Sequence, residues 1–258
     1  MKREGRRIVA MTAYDVLFSR LLQEAEVDLI LVGDSLGQVV LGYDSTLPVT
    51  MDEMIHHARA VKRGAPETFV VLDMPFMSYQ ASVEDAVRNG GRALKESGVE
   101  AVKLEGGHEH TCDAIRALVS AGVPVMGHLG LTPQSVHALG GYRVQGRGDA
   151  EADRIRAEAK ALEEAGVFAM VLELLPAALS EEISATLTVP TVGIGAGPGC
   201  DGQVLVLFDA LGLNPGFAPK FLKRFADLHE AALDGVRSYA REVREGTYPA
   251  AEHSFEGD

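Results

Sequence analysis

The stretch Gly98-Val-Glu-Ala-Val-Lys-Leu-Glu105 contains the unit from which we predict the fold. A glycine suited to ending a helix comes first, a short apolar strand follows, and the stretch closes on a carboxylate. A second stretch, Gly166-Val-Phe-Ala-Met-Val-Leu-Glu173, has the same residue at five of the eight positions. Short apolar strands often resemble one another by chance, so the match alone is weak evidence. It is nevertheless the pattern that repeated strand–helix units produce.

Short apolar runs alternate with helical stretches along the whole chain. Capping-box spacing at Thr50 with Glu53, and at Ser82 with Asp85, predicts where two helices begin. Strands that alternate with helices in this way indicate a parallel sheet. Glycines are placed for left-handed helix ends at Gly64, Gly98, Gly122 and Gly166. The eight predicted strands are Ile8–Ala13, Leu29–Val32, Phe69–Leu72, Ala101–Leu104, Pro124–Met126, Ala169–Leu172, Thr191–Ile194 and Gln203–Leu207.

The 258 residues show no Pro/Ser-rich linker and no abrupt change of composition. Since α/β barrels commonly use about 250 residues as one unit, we predict an α/β protein with a single (β/α)8 TIM barrel domain over residues 1–258. Long amphipathic helices are predicted at Asp149–Gly166 and Phe225–Gly246, and the C-terminal helix and a polar tail occupy about 225–258. A doubly wound open sheet is the alternative architecture.

The amino-acid composition limits the kinds of molecule that this protein can bind. The chain is 47% hydrophobic and 24% charged with a net charge of −13, which opposes binding to nucleic acid or to an anionic lipid surface. No apolar stretch approaches the roughly 18 residues that cross a bilayer. Two cysteines, Cys112 and Cys200, provide neither a disulfide framework nor a CxxC metal motif, and they suit a reducing compartment. We therefore predict a cytoplasmic protein that binds neither nucleic acid nor membrane.

Polar residues stand at the carboxyl ends of five predicted strands. These ends open on one face of a parallel barrel, so residues far apart in sequence converge there on one pocket. A carboxylate after a strand can also be the N-cap of the next helix, although Asp73 precedes Met74-Pro75, where no helix is about to begin. The residues are Asp34, Asp73, Glu105, His128 and Glu173.

Lys103 lies inside an apolar strand. Strand alternation puts Lys103 and Glu105 on the same face, so an inward Glu105 brings an ammonium group into the acidic pocket. The alternative is a surface lysine whose stem lies along apolar atoms while its charge stays in water.

Carboxylates gathered in one pocket repel each other unless a cation or a shared proton relieves them. Oxygen ligands favour a hard ion such as Mg²⁺, whereas His128 alone does not require zinc. Gly193-Ile-Gly-Ala-Gly197 lacks the spacing of a dinucleotide fingerprint and indicates either a tight turn near a ligand or close packing. The loop Gly140–Gly148 is either a lid or a plain solvated connection.

The motifs together resemble those of the ketopantoate hydroxymethyltransferase family, over nearly the whole chain. They are Thr12-Ala-Tyr-Asp15, Leu31-Val-Gly-Asp-Ser-Leu-Gly37, Asp44-Ser-Thr-Leu-Pro-Val-Thr50, Asp73-Met-Pro-Phe76, Val102-Lys-Leu-Glu-Gly-Gly107, Gly127-His-Leu-Gly-Leu-Thr-Pro-Gln-Ser135, Gly140-Gly-Tyr-Arg-Val-Gln-Gly-Arg147, Gly193-Ile-Gly-Ala-Gly197, Asp201-Gly-Gln203 and Glu252-His-Ser-Phe255.

The resemblance implies a barrel of the phosphoenolpyruvate mutase/isocitrate lyase type and a homodecamer. The implied reaction transfers a one-carbon unit from 5,10-methylenetetrahydrofolate to 3-methyl-2-oxobutanoate and gives 2-dehydropantoate. By resemblance, Mg²⁺ is bound by Asp34, Asp73 and Glu105. Glu173 is the catalytic proton acceptor, and the substrate-binding residues are Asp34, Ser35, Asp73, Lys103 and His128.

The implied chemistry accounts for these residue types. Chelation of the keto and carboxylate oxygens of a 2-oxo acid by Mg²⁺ stabilises the enolate that forms when the C3 proton leaves. Glu173 must lie apart from the metal, because a coordinated carboxylate loses basicity. Two alternatives stay open: a carbon–carbon lyase or phosphonopyruvate-type enzyme, against which the missing KKCGH motif argues, and a ligand-binding ring without catalysis, which would not need Glu173.

Overall fold

The computed structural model describes residues 1–257 and contains a closed barrel of eight parallel strands in chain order. The open sheet is excluded, because Ile8 of the first strand pairs with Gly202 of the last. All eight predicted runs are strands. Their bounds are β1 Ile8–Thr12, β2 Leu29–Val32, β3 Phe69–Asp73, β4 Ala101–Glu105, β5 Val125–Gly130, β6 Ala169–Glu173, β7 Thr191–Ile194 and β8 Gly202–Leu205.

Helices follow each of the first six strands, as the alternating pattern predicts. The two long predicted helices are confirmed, although the second begins at Leu228 rather than at Phe225. Short 3₁₀ turns lie at Lys2–Glu4, Pro133–Ser135 and Ala251–His253. The α-helices are α1 Val16–Glu24, α2 Leu36–Val39, α3 Met51–Gly64, α4 Val83–Ser97, α5 Glu109–Ser120, α6 Val136–Leu139, α7 Asp149–Ala165, α8 Ala177–Thr186, α9 Leu207–Ala210 and α10 Leu228–Glu245.

The connection from β7 to β8 departs from the predicted alternation, because residues 195–201 contain no helix. Parallel neighbours usually need a crossover of a dozen residues or more. Here the glycines allow the chain to return closely over α8: a Cβ atom on Gly197 would meet Ala177, and one on Gly199 would meet Glu181. Close packing accounts for Gly197 and Gly199, and the φ values of 62° at Gly195 and 78° at Gly197 show that the segment also contains a tight turn.

The predicted helix ends are confirmed with one exception. Thr50 and Glu53 form a complete capping box at α3, and the Ser82 hydroxyl accepts a hydrogen bond from the Asp85 amide at α4. The glycines at positions 98, 122 and 166 have φ values of 79°, 86° and 100°, in the left-handed region.

The prediction of a left-handed helix end at Gly64 is wrong. Gly64 is the last residue of α3, and the residue that follows the helix, Ala65, has φ −129°. Glycine is needed at 64 because α1 packs against α3: an added Cβ atom would collide with the carbonyl oxygen of Val16 and the hydroxyl of Ser19. The role of this glycine is therefore close helix packing and not a change of backbone direction.

Gly64→Ala is therefore expected to lower the free energy of unfolding by about 1–3 kcal/mol, because the overlap is with backbone that cannot move freely. Gly91→Ala is the matched control. Gly91 lies inside α4 with open space where its Cβ would be, so alanine should stabilise that helix by about 0.5–1 kcal/mol. Urea unfolding of both variants measures whether the two changes in the free energy of unfolding have opposite signs. An increase in the free energy of unfolding for Gly64→Ala would refute the packing explanation.

The barrel interior changes from apolar to polar along the strands. Residues at every second position point inward, so in β4 the apolar Ala101 is followed on the same face by Lys103 and Glu105. The pairings Asp73 with Lys103 and Glu105 with His128 continue this polar layer across β3, β4 and β5. The apolar layers below consist of Ile8, Ala10, Leu29, Leu31, Val71, Ala101, Met126, Ala169, Val171, Val192 and Val204.

The chain divides into two compact units, Met1–Leu207 and the segment from Phe208 onward. The first unit contains the complete barrel. The second contains α10, and the residue that follows this helix, Gly246, has the left-handed conformation. The single domain over residues 1–258 stays a prediction.

Within residues 1–257, no helix combines the length and the apolar character that a membrane span requires.

Candidate active site

Three buried carboxylates from separate strand ends meet at the mouth of the barrel. Asp34 follows β2, Asp73 ends β3 and Glu105 ends β4, with exposed fractions of only 4%, 2% and 5%. One carboxylate oxygen from each lies within 4.8 Å of the others. The predicted convergence of these side chains is confirmed.

The alternative interpretation of the strand-end carboxylates as N-caps is wrong. Helix α5 after Glu105 is capped by His108, and helix α8 after Glu173 has Pro176 at its N-cap position. Ser35 occupies the N-cap position of α2, and no side chain caps that helix. The carboxylates are thus not used to begin helices, which leaves them for the pocket.

Lys103 points into the same pocket and is 2% exposed, which excludes the surface interpretation. Its ammonium lies 2.9 Å from Asp73 Oδ1 and 3.6 Å from Glu105 Oε1. Burial opposes the charge of Lys103, but the surrounding carboxylates outweigh burial and raise its pKa above the ordinary value. Lys103 is therefore positioned as the counter-ion of these carboxylates.

Burial acts to raise the pKa of all three carboxylates, but their neighbours make them unequal. Burial, together with repulsion from Asp73 and Glu105, raises the pKa of Asp34 well above its usual range. Burial also raises the pKa of Asp73, although Lys103 opposes that change. Burial acts in the same direction on Glu105, but Lys103 and His128 outweigh it and lower the pKa of Glu105. The pocket holds more potential negative charge than Lys103 neutralises.

The three carboxylates of the cluster are suitable ligands for a hard divalent cation. In the described part of the chain, the buried oxygens Asp73 Oδ1 and Glu105 Oε1 face only ion-pair partners, Lys103 for both and His128 for Glu105. Buried oxygen atoms of this kind are ligands that Mg²⁺ prefers. Asp34, Asp73 and Glu105 are the residues that could hold such an ion.

His128 lies between the carboxylate cluster and Glu173. Its Nδ1 atom is 3.3 Å from Glu105 Oε1 and 3.1 Å from Lys103 Nζ, and its tautomer decides which contact is a hydrogen bond. Its Nε2 atom is 3.3 Å from Glu173 Oε2. Burial and Lys103 lower the pKa of His128, but its contacts with the two glutamates outweigh them and raise it.

Glu173 stands at the rim of the pocket, outside the carboxylate cluster. Its side chain is 18% exposed, against 3% for those of Asp73 and Glu105. The next residue, Leu174, has φ 45°, an uncommon conformation for a non-glycine residue that occurs often at functional sites. The backbone of Glu173 also passes so close to Gly130 that a Cβ atom there would collide with its carbonyl oxygen. The expected separation of Glu173 from the cluster is confirmed.

Ser35 is partly buried, and its hydroxyl lies 2.8 Å from the Tyr14 hydroxyl. Tyr14 was not singled out from the sequence. It lies within the motif Thr12-Ala-Tyr-Asp15, but nothing in that motif shows that its hydroxyl reaches the end of the next strand. The substrate-binding role of Ser35 stays a prediction.

Sequence analysis also missed Gln134 and Tyr79, both buried beside the cluster. Gln134 Nε2 donates to Asp34 Oδ2 at 3.0 Å, and the Tyr79 hydroxyl accepts from the Glu105 amide at 3.0 Å. Gln134 lies 100 residues from its partner in the chain, so no local pattern could reveal the contact. The available signal was its place in the family-like motif over residues 127–135.

The loop Gly140–Gly148 is anchored near one end. Gln145 is buried and its backbone amide donates to the Leu174 carbonyl at 2.9 Å. Gly146 packs closely against Leu179 and Ile155. Tyr142, by contrast, is 54% exposed. Closure over the pocket stays a prediction.

The barrel fold of this chain occurs in proteins of known structure. Phosphonopyruvate hydrolase, solved in complex with oxalate and Mg²⁺, superposes with a TM-score of 0.63 at 16% identity, covering 97% of this chain and 89% of its own. A 2,3-dimethylmalate lyase of the PEP mutase/isocitrate lyase superfamily gives 0.63 at 18% identity, covering 99% and 88%. These likenesses establish the fold alone: the chain has the same barrel fold as these solved proteins, in agreement with the predicted fold.

The family follows from closer relatives. The family model described as ketopantoate hydroxymethyltransferase matches residues 1–251. The 3-methyl-2-oxobutanoate hydroxymethyltransferase of Moorella thermoacetica is 60% identical over 99% of this chain and 94% of its own. That of Syntrophus aciditrophicus is 56% identical, with coverages of 99% and 93%. The chain belongs to the ketopantoate hydroxymethyltransferase family and is an enzyme of this kind, so a ring that only binds ligand is excluded.

Proposed function

We propose that this enzyme transfers a hydroxymethyl group from 5,10-methylenetetrahydrofolate to 3-methyl-2-oxobutanoate and forms 2-dehydropantoate, a step of pantothenate biosynthesis. Relatives at 53–60% identity over nearly the full chain bear the name of this activity. The structural observation that supports the mechanism is the cluster of Asp34, Asp73 and Glu105, with Glu173 held apart from it by His128.

The metal in this proposal is Mg²⁺, held by Asp34, Asp73 and Glu105. When bound, it supplies positive charge that stabilises the enolate oxygen of a chelated 2-oxo acid. The buried oxygens Asp73 Oδ1 and Glu105 Oε1, which face Lys103 and His128 and no other partner in the described residues, support this assignment. The excess of carboxylates over the single ammonium of Lys103 supports a divalent rather than a monovalent ion.

Glu173 is the proposed base. It removes the proton from C3 of the substrate, and the electron pair of that C–H bond passes into the enolate. The enolate carbon then forms a bond to the folate-derived methylene carbon, and both bonds from that carbon to the folate nitrogens break. Water supplies the hydroxyl group of the product. Tetrahydrofolate leaves with the proton that Glu173 removed and the remaining proton of the water. Since Glu173 does not belong to the carboxylate cluster, its basicity is not lost to the metal.

The other predicted residues bind and orient the substrate. Lys103 provides a buried positive charge for an acidic substrate in a protein of net charge −13. His128 contacts Glu173 on one side and Glu105 on the other, which suits it to orient the base. Asp34, Ser35 and Asp73 complete the proposed substrate-binding set, and two of them, Asp34 and Asp73, belong to the carboxylate cluster.

Assembly and location belong to the proposal as well. We expect a homo-oligomer, a homodecamer by resemblance to the family, in the cytoplasm. The measured molar mass in solution, by light scattering after size exclusion, checks the assembly.

The product of the reaction tests the proposed function. The enzyme incubated with 3-methyl-2-oxobutanoate, 5,10-methylenetetrahydrofolate and Mg²⁺ should yield 2-dehydropantoate by mass spectrometry, and a chelator should prevent its formation. No product with both substrates and the metal present would contradict the proposal. Cleavage of 2,3-dimethylmalate instead would favour the lyase alternative, which shares the fold.

A further inference from the structure

Gln134 is buried at the mouth of the barrel, in the 3₁₀ turn Pro133–Ser135 that follows β5. Its side-chain nitrogen donates to Asp34 Oδ2 at 3.0 Å and to the Met74 carbonyl at 2.9 Å. Its side-chain oxygen accepts from the Tyr79 hydroxyl and from Gln80 Nε2, both at 3.0 Å. All the hydrogen-bonding capacity of the amide group is thus used.

These four contacts fix the orientation of the amide. Two acceptors, Asp34 and the Met74 carbonyl, face the nitrogen, and two donors face the oxygen. A flipped amide would place acceptor against acceptor and donor against donor. The side chain is therefore locked, and a locked donor holds the carboxylate that it contacts.

Gln134 also contacts a second member of the cluster through its backbone. Its amide donates to Glu105 Oε2 at 3.0 Å. Tyr79 reinforces this link, because its hydroxyl accepts from the Glu105 amide and donates toward the Gln134 side chain. One residue from the β5 end therefore connects carboxylates that belong to the ends of β2 and β4.

We infer that Gln134 is a positioning residue for the metal site: it holds Asp34 and Glu105 at the separation that a divalent cation requires. The inference rests on the proposed function, since it concerns the same cluster. Asp34 lies close to Asp73 and Glu105, which repel its carboxylate, and to Lys103, which attracts it. The side-chain amide of Gln134 donates a hydrogen bond to the Oδ2 atom of Asp34 and so fixes the orientation of that carboxylate. Loss of such an outer partner typically weakens metal binding about 10–100-fold.

The test is a titration of the purified enzyme, without substrates, with Mg²⁺ by calorimetry and with Mn²⁺ by the electron paramagnetic resonance of the free ion. Gln134→Met keeps the length of the side chain and removes its hydrogen bonds. We expect the dissociation constants of both ions to rise about 10–100-fold. Gln203→Met is the matched control, because Gln203 on β8 is exposed and its side chain donates to the Gly197 carbonyl. The metal affinity of this variant should match that of the unmodified enzyme.

Thermal unfolding of the Gln134 variant in a chelator separates a positioning role from a structural one. If the role of Gln134 were only structural, the melting temperature would fall and the metal affinity of the folded protein would not change. If Gln134→Met does not fold, Tyr79→Phe replaces it in the test, and it should weaken binding by a smaller factor. Equal affinity in the substituted and unmodified enzymes would overturn the inference and leave the proposed function standing. Absence of binding to the unmodified enzyme would overturn the proposed metal site itself.

Discussion

Glu173→Gln is expected to abolish the uptake of deuterium at C3 of 3-methyl-2-oxobutanoate while leaving Mg²⁺ binding intact. The amide has nearly the shape of the carboxylate but cannot accept the proton. General base catalysis contributes about 100- to 10,000-fold, so exchange in D₂O should fall by at least the lower of these factors. Since Glu173 lies outside the cluster of Asp34, Asp73 and Glu105, calorimetric titration with Mg²⁺ should give an unchanged affinity.

The control for this variant is Glu24→Gln, which makes the same chemical change at the exposed end of α1. It should exchange deuterium at the rate of the unmodified enzyme. Retained exchange in Glu173→Gln would show that another group removes the proton. A loss of exchange together with a loss of metal binding would instead place Glu173 among the residues that hold the ion.

Lys103→Met is expected to lower the free energy of unfolding in a chelator by about 3–5 kcal/mol, the usual effect of removing one partner from a buried ion pair. Burial raises the pKa of Asp73, and Lys103 is the neighbour that opposes this most strongly. Lys103 is the one buried Lys or Arg among residues 1–257, so its removal leaves the three buried carboxylates without a buried Lys or Arg as counter-ion. Mg²⁺ should consequently stabilise the variant more than it stabilises the unmodified enzyme.

Urea unfolding with chelator and with Mg²⁺ measures both effects. Lys160→Met is the control, because Lys160 is exposed and its 3.9 Å contact with Glu164 is a surface ion pair. Such a pair contributes at most about 1 kcal/mol, so that variant should change little under either condition. If Lys103→Met were as stable as Lys160→Met in the chelator, the ammonium could not be the main counter-ion of the cluster.

Much of the barrel was predictable because the relevant signals are local. Each strand is a short apolar run, and alternation within β4 correctly placed Lys103 and Glu105 on one face. The convergence of Asp34 and Glu173 on one barrel mouth then followed from topology alone, since parallel strands end on the same side.

What the sequence did not reveal depends on contacts between distant segments. Gly64 has the position of a helix-stop glycine, but its small size serves the approach of α1. The helix-free return from β7 to β8 depends on packing over α8. Gln134 reaches Asp34 only once the barrel has closed. Periodicity and capping rules describe residues that are close in sequence, so they cannot predict contacts between distant segments.

The formation of an enolate is the central claim, and hydrogen exchange on the unmodified enzyme tests it most directly. The enzyme is incubated in D₂O with 3-methyl-2-oxobutanoate and Mg²⁺, without folate, and the C3 proton is followed by nuclear magnetic resonance. We predict that deuterium replaces the C3 proton when Mg²⁺ is present and that a chelator stops the exchange. A C3 proton that persists in the presence of Mg²⁺, under conditions where the complete reaction proceeds, would contradict the proposed role of the metal and the base.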